Sequence, residues 1–251
     1  MKNNLKKKVV VIIPTYNERD NIQPLLTQIM TVLKDFDFRI LVVDDNSPDG
    51  TAKIVQKLAQ QERRIKLLLR KGKRGRGTAG VAGFKAALDL KPDFIVEMDG
   101  DFSHQPQYLI NLISSTQEYD VVIGSRFIAG GKDLDRGFLR RLITFLARNF
   151  VRWLLRVQVQ DVSSGYRCFR REALEKINLD KLRSKGPSLV IEILYKAYLS
   201  GLKIKEVPII FIQRKKGESK LNILTLFQTL FMVFKFKKIY GSLRDLKARN
   251  Y

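Results

Sequence analysis

The chain is poor in the residues that mark secreted and membrane-spanning proteins. Cys168 is its single cysteine, so no disulfide can form within it, and a reducing, cytoplasmic setting is the expectation. No segment reaches the roughly 20 uninterrupted apolar residues that a membrane-spanning helix requires. The N-terminal run MKNNLKKKVVVIIPTYNE has too short an apolar core for a signal peptide. Neither an internal repeat nor a low-complexity stretch is visible. Acidic residues are scarce: 25 Asp and Glu face 47 Lys and Arg, a formal net charge of +22 in 251 residues, of which 45% are hydrophobic. That hydrophobic share supports a folded core, and the positive excess implies an anionic partner: nucleic acid, anionic lipid or a phosphorylated substrate.

The N-terminal half alternates two kinds of segment. Apolar runs VVVII (9–13), RILVVDD (39–45), IKLLL (65–69), DFIVEMD (93–99) and DVVIGS (120–125) read as strands. Between them NIQPLLTQIMTVLKDF, TAKIVQKLAQQE, GTAGVAGFKAALDL and PQYLINLISSTQ read as helices. This alternation predicts an α/β fold with a mostly parallel sheet covered by helices on both faces, because parallel strands need long crossovers and are buried on both sides. In such sheets ligands gather beyond the carboxyl ends of the strands.

The residues at those ends are PTYNE, DDNSPDG, DGDFSH and SRF. Each alone is ordinary turn material, and Ser47 or Asp49 suits a helix cap. Asp44 and Asp45 together with Asp99 and Asp101 are harder to explain as turns, since carboxylates crowded on one edge repel unless a cation or a donor compensates them. Asp-x-Asp at a strand end suits a hard divalent cation, with Gly100 allowing close approach; Mg²⁺ or Mn²⁺ so held completes its shell with substrate phosphates, which points to a nucleoside diphosphate.

In order along the chain, VIIPTYNERDNI, VVDDNSPDGT, GRGTAGVAGF, MDGDFSHQP, GSRF, DVSSGYRCF and GESKL resemble the dolichyl- or polyprenyl-phosphate mannosyltransferases, inverting family 2 glycosyltransferases of GT-A (Rossmann-like) fold. The likeness runs from about residue 9 to residue 221. It implies that Pro14, Tyr16 and Glu18 cradle the donor nucleotide, that Asp45 and Asp44 hold base or ribose, and that Asp99 and Asp101 bind the metal bridging the diphosphate. Some relatives place a glutamine as a further ligand two positions beyond the second Asp, where this chain has Ser103. Arg214 and Lys220 would fold over the diphosphate, with Asp101, Arg214 and Lys220 carrying the catalytic step. Arg126 and Arg140 match arginines that hold the acceptor phosphate, with Ser163, Ser164 and Arg167 as further candidates and Asp161 orienting their loop. The implied reaction is mannose transfer from GDP-mannose to a polyprenyl or dolichyl phosphate with inversion; UDP-glucose as donor is the alternative. Because the acceptor phosphate is already ionised, no catalytic histidine is expected: His104, the single histidine, reads as a structural neighbour of the metal loop, and Cys168 as a small packed hydrophobe.

Residues 136–157 form a basic amphipathic helix, with Arg136, Arg140, Arg141, Arg148, Arg152 and Arg156 on one half and Leu139, Leu142, Phe150 and Trp153 on the other. It fits a membrane surface; a solvated cationic face over a packed core is the alternative. LNILTLFQTLFMVF (221–234), followed by Lys235, Lys237 and Lys238, fits a membrane interface and a core-packed helix equally. The expected division is a catalytic domain over 1–215 and a basic loop with a membrane-associated amphipathic segment over 216–251. Membrane contact through these helices, or through a separate anchoring subunit, places the protein on the cytoplasmic face of a membrane. A nucleic-acid-binding protein is the non-enzymatic competitor at a pI near 10.1, but the acidic sheet edge would repel a phosphate backbone unless it held metal.

Overall fold

The computed structural model describes residues 7–72, 74–134, 137–212 and 223–248, with the side chains of 140, 223 and 242–248 excepted. Three parallel strands open the chain, β1 (Lys8–Thr15), β2 (Asp37–Asp44) and β3 (Ile65–Leu69), linked by helices α1 (Arg19–Val32) and α2 (Thr51–Gln61). Helix α3 (Arg76–Asp89) crosses to β4 (Phe94–Glu97), which lies on the other side of β1, also parallel. Then follow α4 (Leu109–Ser115), β5 (Val121–Ser125), the short β6 (Lys132–Asp133) and the long α5 (Phe138–Leu155). The remaining elements are β7 (Arg167–Arg170), α6 (Arg171–Ile177), α7 (Leu189–Leu199), β8 (Ile204–Pro208), the two-residue β9 (Ile210–Phe211) and α8 (Ile223–Ala248).

Seven strands form one sheet in the order β3-β2-β1-β4-β7-β5-β8. All neighbours are parallel except β7, which runs antiparallel to both β4 and β5. The strand run VVVII is uniformly apolar because the sheet is covered on both sides: Val10 and Ile12 enter one core with α3, α5, α6, α7 and α8, while Val9, Val11 and Ile13 enter the other with α1, α2 and α4. The five expected strands and their crossover helices are present.

Two strands of the sheet escape a search for apolar runs. β7 is Arg-Cys-Phe-Arg, with an arginine at each end, and β8 is a charged edge strand, Ile-Lys-Glu-Val-Pro. Both are strands because of their neighbours rather than their own composition. β4 stops at Glu97, so Asp99 and Asp101 lie in the loop beyond it rather than at the end of a strand reaching residue 99.

Helices α5 and α8 share an unusual burial pattern. From α5 only Val151 and Leu155 are fully buried, whereas Phe138, Leu139, Leu142, Leu146 and Trp153 stand in solvent, Trp153 at 74% exposure. α8 continues well past residue 234. Val233, Phe236 and Tyr240 face the core, and Leu224, Phe227, Phe231 and Phe234, spaced along one helical stripe, face outward. The helix expected to be either core-packed or interfacial thus has one face in the core and one exposed to solvent. Phe150 of α5 meets Phe234 of α8 at 5.4 Å between ring centroids, so the two exposed stripes adjoin. Tyr240 donates to the buried Glu192 of α7 at 2.5 Å, fixing α8 on the body. Among the described residues no helix is long and apolar enough to cross a membrane.

Candidate active site

The strand ends converge as the fold class requires, and hydrogen bonds between loops hold them there. Beyond β1 and β2, Thr15 Oγ1 donates to Asp44 Oδ2 at 2.9 Å, and the Ser47 amide and hydroxyl donate to the same carboxylate at 2.8 and 2.6 Å. Asp44 is fully buried and organises the loop. Ser47 Oγ in turn accepts the Asn17 amide, and Asp49 accepts the amides of Arg19 and of Thr51, the first residue of α2. Burial raises the Asp49 pKa, but these bonds from Thr51 and Arg19 outweigh it and hold the carboxyl below its usual value. The PTYNE and DDNS segments are therefore one stitched unit.

Asp45 accepts the Gly75 amide at 2.9 Å and pairs with Arg70; Tyr16 lies under the Arg74 guanidinium, 4.9 Å from its ring centroid. Glu18 accepts from Asn21 at 2.9 Å, and its amide donates to Thr51 Oγ1. Pro14 is buried in the last turn of β1. The MDGD loop packs directly on this unit: a Cβ on Gly100 would sit 3.1 Å from Thr15 Cγ2 and 3.5 Å from Glu18 Cγ. A side chain at this position would be tightly packed against Thr15, so glycine suits the close approach of the two loops.

Within MDGD, Asp99 is partly exposed and Asp101 is 8% exposed. The Asp99 amide donates to His104 Nδ1 at 3.0 Å, which leaves the ring proton on Nε2. His104 stacks on Tyr166 at 4.9 Å and meets the edge of Phe211 at 5.7 Å; burial lowers its pKa and keeps it neutral despite the nearby Asp99. Asp101 Oδ1 accepts the Ser103 amide at 3.0 Å. Ser103 Oγ is buried and has no hydrogen-bond partner among the described residues. Among those residues no group of three His, Cys, Asp or Glu could hold a metal by itself. A cation placed here has two carboxylates and an uncommitted hydroxyl as protein ligands, a donor set for Mg²⁺ or Mn²⁺ with phosphate oxygens completing the shell.

Arginines to which the sequence motifs assign no role enter this edge. Arg76, at the start of α3, spans Glu97 at 2.6 Å and Asp99 at 3.1 Å. Burial alone would lower its pKa, but the two carboxylates outweigh burial and raise it. The signals in the sequence were small: an acid inside the apolar run IVEM, and an arginine between two glycines ahead of a helix.

The SRF and DVSSGYR segments meet as one buried cluster. Arg126 makes a two-pronged pair with Asp161, Nε to Oδ2 at 2.7 Å and Nη2 to Oδ1 at 2.8 Å, and Nη2 also donates to Ser163 Oγ at 2.9 Å. Burial raises the Asp161 pKa, but Arg126 more than reverses this and holds it low. Glu206 accepts the amides of Gln160 and Asp161, placing this loop. Ser164 is buried and accepts the Tyr166 amide at 3.3 Å. Arg167 lies beneath the loop, bonded to the Val190 and Val162 carbonyls, its pKa pushed down by burial to about 10. Arg126 also lies over the rings of Phe127 and Phe211, at 5.0 and 5.1 Å. Arg148 of α5 covers the same Phe127 at 4.5 Å. A cleft of about 280 Å³ opens here, lined by Phe127, Asp133, Arg141, Thr144, Phe145 and Arg148. A continuous path thus leads from Asp99 through His104, Phe211, Arg126 and Phe127 to the cleft. Arg214 and Lys220 lie outside the described residues, as does the side chain of Arg140.

Comparison with known proteins gives the family and the fold. The glycosyl transferase family 2 profile matches residues 10–178. An undecaprenyl-phosphate mannosyltransferase of Micrococcus luteus is 37% identical over 86% of this chain and 88% of its own. A polyprenol monophosphomannose synthase of Mycolicibacterium smegmatis is 37% identical over 90% of this chain and 86% of its own. A dolichol-phosphate mannosyltransferase of Pyrococcus furiosus is 36% identical over 94% of this chain, which spans 65% of that longer protein. Among solved structures, a glucosyl-3-phosphoglycerate synthase of Mycobacterium tuberculosis, in complex with Mn²⁺, UDP-glucose and phosphoglyceric acid, superposes with a TM-score of 0.67 at 19% identity, over 93% of this chain and 80% of that one. The mannosyl-3-phosphoglycerate synthase of Rubrobacter xylanophilus gives 0.66 at 15%, over 94% and 75%. These structures establish the GT-A fold, and the sequence relatives place the chain more finely: it belongs to glycosyl transferase family 2, among the polyprenyl-phosphate mannosyltransferases.

Proposed function

We propose that the protein transfers mannose from GDP-mannose to a polyprenyl or dolichyl phosphate, with inversion at the anomeric carbon. The observation that carries this reading is the juxtaposition on one sheet edge of the Asp99/Asp101 loop and an arginine-lined cleft that opens beside an exposed apolar helix face. A nucleotide sugar suits the first, and a phosphate with a hydrocarbon chain suits the second.

Tyr16, Glu18 and Asp45 would line the nucleotide, with Pro14 and Asp44 shaping its loop. Asp99, Asp101 and the orphaned Ser103 hydroxyl would hold Mg²⁺ or Mn²⁺, which when bound neutralises charge growing on the departing diphosphate. Arg214 and Lys220 would add positive charge beside that leaving group. On the acceptor side, Arg126, held rigid by Asp161, and the arginines of the cleft, with Arg140, would receive the lipid phosphate; Ser164 supports their loop. An acceptor phosphate oxygen attacks the anomeric carbon, the bond from that carbon to the diphosphate oxygen breaks, and GDP departs with the electron pair. The phosphate enters as an anion and needs no general base, which fits a buried, neutral His104.

The exposed stripes of α5 and α8 would lie in a membrane interface, where the lipid acceptor resides, with Arg141, Arg148 and Arg152 of α5 beside them. On this reading the protein works at the cytoplasmic face of a membrane, with or without a separate anchoring subunit. The test is incubation with labelled GDP-mannose or UDP-glucose and polyprenyl phosphate, followed by extraction of lipid-linked sugar. Mannolipid formed from GDP-mannose and lost in Asp101→Ala is expected. Product from UDP-glucose alone, or full activity in Asp101→Ala, would overturn the reading.

A further inference from the structure

We infer that Arg76 is a resident counter-cation of the Asp99 site, which competes with a free divalent metal and so makes metal binding depend on the arriving nucleotide. The inference rests on the reading of Asp99 and Asp101 as metal carboxylates. Its basis is the way the guanidinium is held. Arg76 Nη1 lies 2.6 Å from the nearly inaccessible Glu97, and Nη2 lies 3.1 Å from Asp99. Glu97 is therefore the anchor and Asp99 the shared partner.

The surroundings are shaped to this guanidinium. A Cβ on Gly165, in the SSGYR turn, would sit 3.2 Å from Arg76 Nη2. A Cβ on Gly80 would sit 3.0 Å from Glu97 Oε1 and 3.4 Å from Arg76 Nη1. At the root of the side chain, Gly77 packs against the Lys185 and Gly186 backbone so tightly that a Cβ would clash at 2.6 Å, which fixes where α3 begins. A guanidinium bounded by Gly80, one helical turn along α3, and by Gly165 of a remote loop, and paired with the buried Glu97, is positioned rather than lying on a surface.

Electrostatics gives the consequence. Glu97, Asp99 and Asp101 crowd one strand end, and Arg76 supplies positive charge there without metal. A divalent ion arriving alone must share Asp99 with that guanidinium, and the two carboxylates and the Ser103 hydroxyl leave its shell incomplete. A nucleoside diphosphate brings the oxygens that complete the shell and a negative charge that Arg76 favours. Metal and nucleotide then enter together, and Arg76 holds Asp99 in place throughout. Arg76 is thus a positioning residue.

The test is Mn²⁺ binding to the full chain, followed by electron paramagnetic resonance, with and without GDP, alongside thermal unfolding of each variant. Wild type is expected to bind Mn²⁺ weakly alone and tightly with GDP. Arg76→Met removes the competitor and should tighten binding of free Mn²⁺ about tenfold, with a smaller gain on adding GDP. Arg76→Lys, which reaches one carboxylate at a time, should fall between, and it serves if the methionine variant does not fold. Glu97→Gln leaves the guanidinium to Asp99 alone and should weaken free Mn²⁺ binding, the opposite sign. Unchanged or weaker free Mn²⁺ binding in both Arg76 variants would overturn the inference. If Asp101→Ala leaves Mn²⁺ binding untouched, the metal reading itself fails, which is a separate outcome.

Discussion

The donor edge and the α5/α8 face solve opposite problems. At the donor edge nearly every described polar side chain is committed: Asp44 accepts three hydrogen bonds, Asp45 is held by Arg70 and Gly75, and Arg76 ties Asp99 to Glu97. On the α5/α8 face, large apolar side chains stand in solvent next to arginines. In the first region the described charges are held by partners within the chain. The second exposes a contiguous apolar area among the described residues, the pattern of a surface that meets a partner. A change in the first should damage chemistry, and a change in the second should damage attachment while leaving chemistry on a soluble acceptor intact.

The sharpest contrast comes from Asp101→Ala. It should lower mannosyl transfer by on the order of a thousandfold while leaving the unfolding temperature nearly unchanged, as measured by product extraction and calorimetry. Loss of both activity and fold would erase the distinction between an electrostatic site and a structural one.

Breaking the pair behind the acceptor cleft should cost stability as well. Asp161→Ala leaves Arg126 buried without its partner, and about 3–5 kcal/mol should be lost in denaturant unfolding. The same pair has a pH signature. The folded Asp161 pKa lies below the ordinary value of 3.8, so its contribution is complete above that value and is lost as pH falls through the lower folded one. Wild type should therefore lose more stability than Asp161→Asn as pH falls below 3.8, measured by unfolding at a series of pH values.

Trp153→Glu probes the exposed face. Its effect on stability should stay within about 0.5 kcal/mol, because the side chain is 74% exposed, yet flotation with anionic liposomes at low salt should fall severalfold. Undiminished flotation would remove α5 from the attachment surface. The smallest effect belongs to Cys168. Burial pushes its thiol up to about 12, so thiol reagents should leave the folded protein unmodified and label it only after unfolding.

The elements with their own signal were the ones read from the sequence. VVVII, RILVVDD and the crossover helices announce themselves by period and by apolar content, and the polar residues that follow them mark the site because the fold class sends strand ends to one edge. β7 gives no such signal: Arg167 is buried and Arg170 is held by carbonyls more than 50 residues away, so its strand character belongs to the gap between β4 and β5. The same holds for Arg76, whose meaning depends on Glu97, 21 positions away, and on Gly165 in a different loop. The two faces of α8 were legible as apolar residues, but which of them meets the core was not, because periodicity ranks faces without naming their neighbours.

By itself, then, the sequence determined the α/β class, the edge where strand ends gather and the acidic segments that lie there, since these follow from local pattern and strand polarity. Tertiary structure alone decided the pairings: which arginine is committed to which acid, that Ser103 keeps an uncommitted buried oxygen, and that α5 and α8 join their exposed faces. Pairing depends on distances between segments remote along the chain, and no local pattern encodes those distances.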